Sequence, residues 1–358
     1  SWMTWASIIQ FELFSSLMRI NSQFCFTHPG GEDIYLFTLS NSRGTKASIS
    51  NYGAIIQSFI IGTAAGPNDI VLGFERMEDY LSPAYLAGYP WFGCAVGRYA
   101  NRIKDAAFTL DGREIRLTKN DGNDQLHGGP EGFDKKVWQP AASGTSPVPF
   151  LELRYLSPDS EEGYPGNLDT TIRFELNDAD ELSYAFRAIT DQPTAVNLTH
   201  HGYFNLDTHK AGIISHEVKL YASAVLEQDE GLVATGGFSS VENSIYDFRA
   251  FRKLAEEYDK SFVADKGITE NPELLAEARS PESGLVLQVF STEPVVHLYN
   301  GRWIPGVTGK NGIIYGPFSG FCLETHKHCN AVNVPHFPGT ILRPGEVYTH
   351  KTVYKVLV

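Results

Sequence analysis

Two runs near the middle of the chain, TTIRFELND (170–178) and LSYAFRAIT (182–190), set the pattern that decides the fold. In both runs β-branched and aromatic residues alternate with polar ones, which is the period of a strand with one buried face. Sequences that form turns, such as GPND, DGR, NDGND and SPDSEEGYPGN, separate such runs along the chain. The same strand pattern recurs in ASISNYGAIIQSFIIG (47–62), HEVKLYASAVLEQ (216–228), GLVLQVFST (284–292) and PVVHLYNG (294–301). Many short strands joined by turns predict an all-β sandwich or barrel and argue against an alternating α/β fold.

Helical patterns are few. FRKLAEEYDK (251–260) and NPELLAEARS (271–280), each short and polar on one side, are the predicted helices. No repeat of fixed period and no Pro/Ser-rich linker divides the sequence. We therefore predict a single domain over 45–358, preceded by an N-terminal lead with the first strand or strands over 1–44.

Length and charge limit the partners. The chain has 358 residues and a formal net charge of -13, from 29 Lys+Arg against 42 Asp+Glu, with no basic run. Nucleic-acid binding needs clustered cations and a membrane span needs about 18 uninterrupted apolar residues, so neither partner is predicted. The apolar run over 1–20 carries Glu12 and lacks the basic start of a signal peptide. We expect a soluble, cytoplasmic protein that is a monomer or a weak dimer.

Cysteines and nucleotide motifs exclude further classes. Four scattered cysteines form no CxxC pair, which argues against a disulfide framework and a thiolate zinc site. No GxGxxG or P-loop follows a strand, so no nucleotide cofactor is predicted. His200, His201, His326 and His328 with Glu324 invite a test for zinc, but HEXXH is absent and adjacent strand residues point to opposite faces. The prediction is that the protein has no cofactor and no metal.

Polar residues of catalytic type concentrate in five places. Each has an ordinary structural interpretation when taken alone. An Arg after an Asn in a loop is commonly a surface ion-pair partner, HGG is commonly a turn, and YDFR suits a capping Asp. The five places are GRYANR (97–102), HGG (127–129), NLTHHGYFN (197–205), YDFR (246–249) and LETH (323–326).

Together and in this order, the motifs resemble the aldose 1-epimerase (galactose mutarotase) family. The resemblance extends over about 45–355, nearly the whole chain. It implies a large antiparallel β-sandwich with few short helices and an open sugar cleft across one sheet. The implied activity is the interconversion of α and β anomers of free aldohexoses of the galactose/glucose class. The motifs are GRYANRI (97–103), LHGGPEGFDKKVW (126–138), NLTHHGYFNL (197–206), YDFR (246–249), SGFCLETH (319–326) and FPGTILRPGEVY (337–348).

The resemblance also implies roles for individual residues. Glu324 corresponds to the general base that takes the proton of the anomeric hydroxyl, and His201 to the general acid that protonates the ring oxygen. An imidazole near its usual pKa of about 6.5 can donate that proton at neutral pH. An aromatic side chain could stack on the sugar, with Trp91, Phe204, Trp303 and Phe318 as candidates. The implied substrate-binding residues are Asn101, Arg102, His127, Tyr203, Asp247 and His297.

Departures from the family pattern leave the preferred aldose open. His200 stands where the family has Asn, Gly202 where it has Ser, and His297 and His326 each stand where it has Gln. Three alternatives also stay open. The protein could bind or sense sugars without catalysis, hydrolyse glycosides with Asp247 and Glu324 as a carboxylate pair, or act on hexose 6-phosphates.

Overall fold

The structure is a computed structural model and describes residues 18–358. Antiparallel strands dominate these residues. In chain order the first strands are β1 (Arg19–Thr27), β2 (Asp33–Ser40), β3 (Lys46–Ser50), β4 (Ile56–Thr63), β5 (Gly66–Asp69), β6 (Ala95–Val96), β7 (Arg102–Ile103), β8 (Ala107–Leu110), β9 (Arg113–Arg116), β10 (Gln125–Leu126), β11 (Gln139–Gly144), β12 (Phe150–Ser157), β13 (Leu168–Leu176), β14 (Glu181–Thr190) and β15 (Thr194–Ala195).

The second half of the described chain continues in strands. They are β16 (Thr199–His200), β17 (Glu217–Leu220), β18 (Ala222–Gln228), β19 (Ala234–Ser240), β20 (Arg252–Lys253), β21 (Asp259–Ala264), β22 (Glu273–Arg279), β23 (Val286–Ser291), β24 (Val295–Tyr299), β25 (Val307–Thr308), β26 (Ile314–Tyr315), β27 (Cys322–His326), β28 (Ile341–Leu342) and β29 (Tyr348–Leu357).

Helical structure is minor. Within residues 18–358 the one α-helix is α1 (Pro83–Ala87), which begins where the Ser82 side chain accepts a hydrogen bond from the backbone N–H of Tyr85. None of the helices in this range is long and apolar enough to cross a membrane. The short 3₁₀ turns are Met77–Leu81, Lys104–Ala106, Phe133–Lys135, Glu161–Gly163, Lys310–Gly312 and Ala331–Asn333.

Three large antiparallel sheets organise the strands. The first contains β1 to β5 in chain order. The second has nine strands in the order β11-β12-β13-β14-β29-β23-β22-β17-β20. The third has five in the order β19-β18-β21-β24-β27, and it carries the candidate site.

The second and third sheets pack face to face. Leu298 of the third sheet belongs to the same buried cluster as Phe186 of the second. The Thr325 and Tyr184 hydroxyls hydrogen-bond across the interface at 3.0 Å. Each fully buried side chain of this size contributes about 1.5–3 kcal/mol to stability. The predicted antiparallel β-sandwich is confirmed.

The alternating pattern of the central runs is confirmed. β13 and β14 overlap the runs at 170–178 and 182–190, and every second residue of β13 is buried. The buried set consists of Leu168, Thr170, Ile172, Phe174 and Leu176. Period-two patterning thus places the apolar residues on the core face.

The two predicted helices are wrong. The run at 251–260 contains β20 and the start of β21, and the run at 271–280 contains β22. β22 pairs with β17 on one side and β23 on the other. Burial between two neighbouring strands therefore outweighs the modest helix propensity of Leu, Ala and Glu.

The N-terminal segment is described only in part. β1 and β2 fall within the predicted lead over 1–44, and β2 pairs with β3 across the predicted division. That division stays a prediction. The predicted absence of a signal peptide rests largely on residues 1–17, which lie outside the described residues.

Candidate active site

A cavity of about 180 Å³ opens over the third sheet. This volume is small beside the roughly 300–1,000 Å³ of pockets for drug-sized ligands, and it favours a single small ring. Its polar lining residues come from many separate parts of the chain. The lining consists of Gly88, Tyr89, Pro90, Trp91, Asn101, Arg102, Leu126, His127, His201, Tyr203, Asp259, His297, Tyr299, Trp303 and Glu324.

Strand register explains why the third sheet presents acids and imidazoles on one face. His297 of β24 lies opposite Glu324 of β27 and opposite Ser261 of β21. Residues directly opposite each other in antiparallel strands point to the same face, and so do residues two apart. Asp259 therefore shares the cavity face with His297 and Glu324. The intervening residues Phe262 and Leu298 face the core.

His297 has partners at both ring nitrogens. Its Nε2 lies 2.7 Å from Oδ1 of Asp259, and its Nδ1 lies 2.7 Å from the Ser261 hydroxyl. Burial alone would raise the pKa of Asp259, but the hydrogen bond and charge of His297 hold it below its usual range. His297 thus lines the cavity, with Nε2 bonded to Asp259 and Nδ1 bonded to Ser261.

Asp247, predicted to bind the sugar, lies outside the cavity. Its carboxylate forms a bidentate pair with Arg249 on the protein surface, at 2.9 and 2.8 Å. Asp259, which the sequence prediction missed, lines the cavity instead. In the sequence, Asp259 falls at the end of the run at 251–260, which was interpreted as helical. We correct the predicted site accordingly.

Two hydrogen bonds join the GRYANRI and HGG segments beside the sheet. The backbone N–H of Asn101 donates to Nδ1 of His127, and the backbone N–H of His127 donates to the carbonyl of Asn101. Both residues have positive φ, at 62° and 51°. Gly128 follows with φ 85°, and a Cβ there would overlap the carbonyl oxygen of Gly97. This close approach explains the glycine and fixes the His127 ring.

Arg102 lines the cavity on the same side as Asn101 and His127. Its Nε donates to the Asp121 carboxylate at 2.6 Å, and its side chain is 13% exposed. β7, which carries Arg102, pairs with β10 immediately before His127. A guanidinium held in this way can donate charge-assisted hydrogen bonds to hydroxyl groups.

The two adjacent histidines point in opposite directions, as predicted. His200 faces the core, where its Nε2 lies 3.1 Å from the carbonyl oxygen of Ala54. His201 faces the cavity, between the rings of Trp91 and Tyr203. The Tyr203 hydroxyl donates to the carbonyl of Pro90 at 2.7 Å. Tyr203 therefore lines the cavity while its hydroxyl is bonded to the backbone.

The imidazole of His201 and the carboxylate of Glu324 face each other. Nε2 of His201 lies 3.7 Å from Oε2 of Glu324, and both residues are at least 97% buried. The second carboxylate oxygen, Oε1, lies 4.0 Å from Nε2 of His127. Oε1 has no hydrogen-bond partner among the described residues. A buried carboxylate oxygen without a donor is suited to a ligand hydroxyl.

Burial changes the proton affinities of this pair. Burial raises the pKa of Glu324 to about 7, with Asp259 adding to the shift and His297 and Arg102 opposing it. Burial also lowers the pKa of His201 to about 3, so the expectation of a value near 6.5 is wrong. Between these two values the pair carries one titratable proton, on the Glu324 carboxyl.

The His127 ring is arranged as a hydrogen-bond donor. Because Nδ1 accepts from Asn101, the proton of the neutral ring lies on Nε2. Burial, with His201 and Arg102 nearby, holds the pKa of His127 well below its usual range, so the ring is neutral. Ligand atoms of His127, His201 and Glu324 lie within 4.8 Å of one another, as a cation site would require. A protonated Nε2 is a poor metal ligand, and this supports the prediction of no metal.

Aromatic rings surround the mouth of the cavity. Trp91 and Trp303 line it, and the Trp303 side chain is 66% exposed. Phe204 and Phe318 instead pack in or against the core. The ring of His326 stacks on that of His297, with the ring centroids 6.2 Å apart, and His326 does not line the cavity. Of the four aromatic candidates, two are therefore available to a sugar ring.

A β-sandwich whose cavity places the Glu324 carboxylate opposite the His201 imidazole has the groups of an acid–base enzyme for a small polar ligand. Comparison with known proteins gives the family. Residues 35–355 match the family model described as Aldose 1-epimerase. The chain therefore belongs to the aldose 1-epimerase family.

Individual relatives agree. The chain is 39% identical to galactose mutarotase from Sus scrofa, over 86% of this chain and 90% of that protein. It is 33% identical to aldose 1-epimerase from Escherichia coli K12, over 92% of this chain and 97% of that protein. A solved GalM/aldose epimerase homologue from C. elegans superposes with a TM-score of 0.82 and 26% identity, covering 94% of this chain and 99% of that one. The predicted family and the predicted enzyme class, an isomerase that interconverts aldose anomers, are confirmed.

Proposed function

We propose that the protein interconverts the α and β anomers of free aldohexoses of the galactose/glucose class, with Glu324 as general base and His201 as general acid. The 3.7 Å approach of His201 Nε2 to Glu324 Oε2 is the observation that carries this proposal. The anomeric hydroxyl oxygen and the ring oxygen of an aldopyranose are bonded to the same carbon. The base and acid that serve them must therefore lie close together, as these two do.

The reaction needs one proton removed and one supplied. Glu324 takes the proton of the anomeric hydroxyl while His201 donates to the ring oxygen, which opens the ring to the free aldehyde. Rotation about the bond between the first two carbons exposes the other face of the carbonyl. The two residues then exchange roles and close the ring as the other anomer. No redox change occurs and no group leaves.

Neighbouring groups are placed to hold the sugar. Arg102, the Nε2–H of His127 and the carboxylate of Asp259 line the cavity within reach of ring hydroxyls. Asn101 orients His127 through its backbone N–H. Trp91 and Trp303 offer faces on which the C–H side of a pyranose stacks.

The cavity also bears on the alternatives. Asp247 does not line the cavity, so the pair of Asp247 and Glu324 suggested for a glycoside hydrolase is not assembled, and the second carboxylate of the cavity, Asp259, is engaged by the His297 ring at 2.7 Å. Histidines apart, Arg102 is the one cationic side chain among the described lining residues. A site for a sugar 6-phosphate would be expected to hold additional cationic side chains that pair with the phosphate. A protein that only binds sugar needs no acid facing a base. These observations favour the free-sugar isomerase.

Polarimetry of freshly dissolved α-sugars tests the proposal. We expect the protein to accelerate mutarotation of α-galactose and α-glucose above the buffer rate. The rates for xylose and arabinose show how well the cavity accepts other aldoses. Glucose 6-phosphate is expected to respond much less, and a methyl glycoside is expected to release no reducing sugar. Equal or faster turnover of the phosphate ester would contradict the substrate class, and buffer-level rates for all four free sugars would contradict the activity.

A further inference from the structure

Cys322 and Glu324 occupy positions two apart on β27 and therefore share the cavity face. Their side chains meet the same imidazole at its two ends. Sγ of Cys322 lies 3.6 Å from Nδ1 of His201, and Oε2 of Glu324 lies 3.7 Å from Nε2. Cys322 is fully buried. One strand thus contacts both nitrogens of His201.

The chemistry proposed above assigns the two nitrogens different tasks. As an acid, His201 gives up the proton on Nε2 and keeps the proton on Nδ1, because a neutral imidazole carries one proton. The Nδ1–H then needs an acceptor that remains in place while Nε2 reacts. Cys322 is the side-chain partner that the structure gives this nitrogen, and the backbone of His201 itself is a second acceptor for the ring.

A thiol sulfur is a weak acceptor. A carboxylate at Nδ1 would stabilise the imidazolium and make His201 a stronger base, as in catalytic triads. A weak acceptor orients the ring while leaving the imidazolium acidic. That property suits a group that must protonate the weakly basic ring oxygen of a sugar.

We propose that Cys322 is a positioning residue for the isomerisation: its sulfur accepts the Nδ1–H of His201 and thereby directs the Nε2 proton toward the sugar. The proposal rests on the proposed role of His201 as the acid. The titratable groups packed around the ring are Glu324 at Nε2, Cys322 at Nδ1, and His127 and Tyr203 against the ring itself, with His297 and Asp259 farther along the sheet.

A matched pair of substitutions tests this proposal kinetically. Cys322→Val fills the site without an acceptor, whereas Cys322→Ser keeps a hydroxyl there. We expect Val to lower kcat about tenfold, a part of the about 10²–10⁴-fold that acid–base catalysis supplies. We expect KM to be unchanged and Ser to restore most of the rate. Cys25→Val, in β1, is the control and should retain the wild-type rate. A Cys322→Val enzyme with wild-type kcat would overturn the proposal.

Two further measurements keep the outcome unambiguous. Nitrogen-15 spectra of histidine-labelled wild-type protein at about pH 6, below the pKa of Glu324 near 7, should show a proton on Nδ1 of His201. An unprotonated Nδ1 would overturn the proposal even if the Val variant failed to fold. His201→Asn separates the two levels of inference. If it is slow while Cys322→Val is fast, only the positioning role fails; if it is fast, the acid role fails and the positioning role with it.

Discussion

Nε2 of His201 and Oε2 of Glu324 lie 3.7 Å apart across the floor of the cavity, one on the segment after β16 and the other on β27. More than 120 residues of sequence separate them, and the distance is set by the packing of two sheets. The pH dependence of the reaction follows from this pair. The catalytic form, carboxylate plus imidazolium, contains the same single proton as the neutral pair.

We therefore expect kcat/KM to be level below about pH 7 and to fall as the pH rises through about 7. Burial raises the pKa of Glu324 to about 7, and above that value the pair loses its titratable proton, so no imidazolium is left to protonate the ring oxygen. Rates measured from about pH 5 to pH 9, corrected for buffer mutarotation, test this expectation. A rate that climbs steadily through pH 7 would show that the carboxylate alone limits turnover.

Asp259 and Asp247 provide a comparison between two aspartates. Asp259→Asn removes a charged acceptor from the cavity and disturbs His297, so we expect kcat/KM to fall about tenfold or more. Asp247→Asn removes an exposed partner of Arg249 and should leave kcat/KM unchanged. Steady-state polarimetry of both variants would reverse our correction if Asp247→Asn proved the more damaging.

Arg98 is expected to contribute to stability and not to chemistry. Its guanidinium is buried and donates to the hydroxyl and carbonyl of Ser157 and to the carbonyls of Pro158, Pro165 and Gly166. Arg98→Met leaves these acceptors without a donor and should lower the free energy of unfolding by about 3 kcal/mol or more.

Urea denaturation measures this loss. Arg154→Met is the matched control, because Arg154 is exposed and pairs with Asp169 on the surface. Its unfolding midpoint should hardly change. Equal midpoints for the two variants would show that the Arg98 network contributes little.

Metal removal should not affect turnover. Because Nδ1 of His127 accepts a hydrogen bond from Asn101, the proton of the ring is on Nε2. Nε2 therefore donates to the ligand and does not bind a metal ion. We expect dialysis against EDTA to leave kcat and KM unchanged. Loss of activity that zinc restores would instead make His127, His201 and Glu324 a metal site.

Sequence patterns predicted the parts of the molecule that depend on local order. Alternation at 170–178 and 182–190 gave β13 and β14, because one face of each strand is buried. The resemblance to the family, carried by the LET and HH motifs, predicted Glu324 and His201 as site residues, and both line the cavity. The run at 271–280 misled, since its helix-forming residues are held in β22 by strands from elsewhere in the chain.

What the sequence could not show depends on long-range pairing. Asp259 reaches the cavity because β21 pairs with β24 in a register that places it beside His297. The low pKa of His201 arises from burial under Trp91 and Tyr203, which come from two other segments. The motifs themselves predict neither the register of β21 with β24 nor the burial of His201.

The central claim is that Glu324 takes the proton of the anomeric hydroxyl, and Glu324→Gln measured by polarimetry on α-galactose tests it most directly. Sugar binding, followed through the fluorescence of Trp91 and Trp303 at the cavity, should persist in this variant. We predict that the accelerated rate falls by about 10²–10⁴-fold while binding is retained. A Glu324→Gln protein that still interconverts the anomers at the wild-type rate would contradict the account.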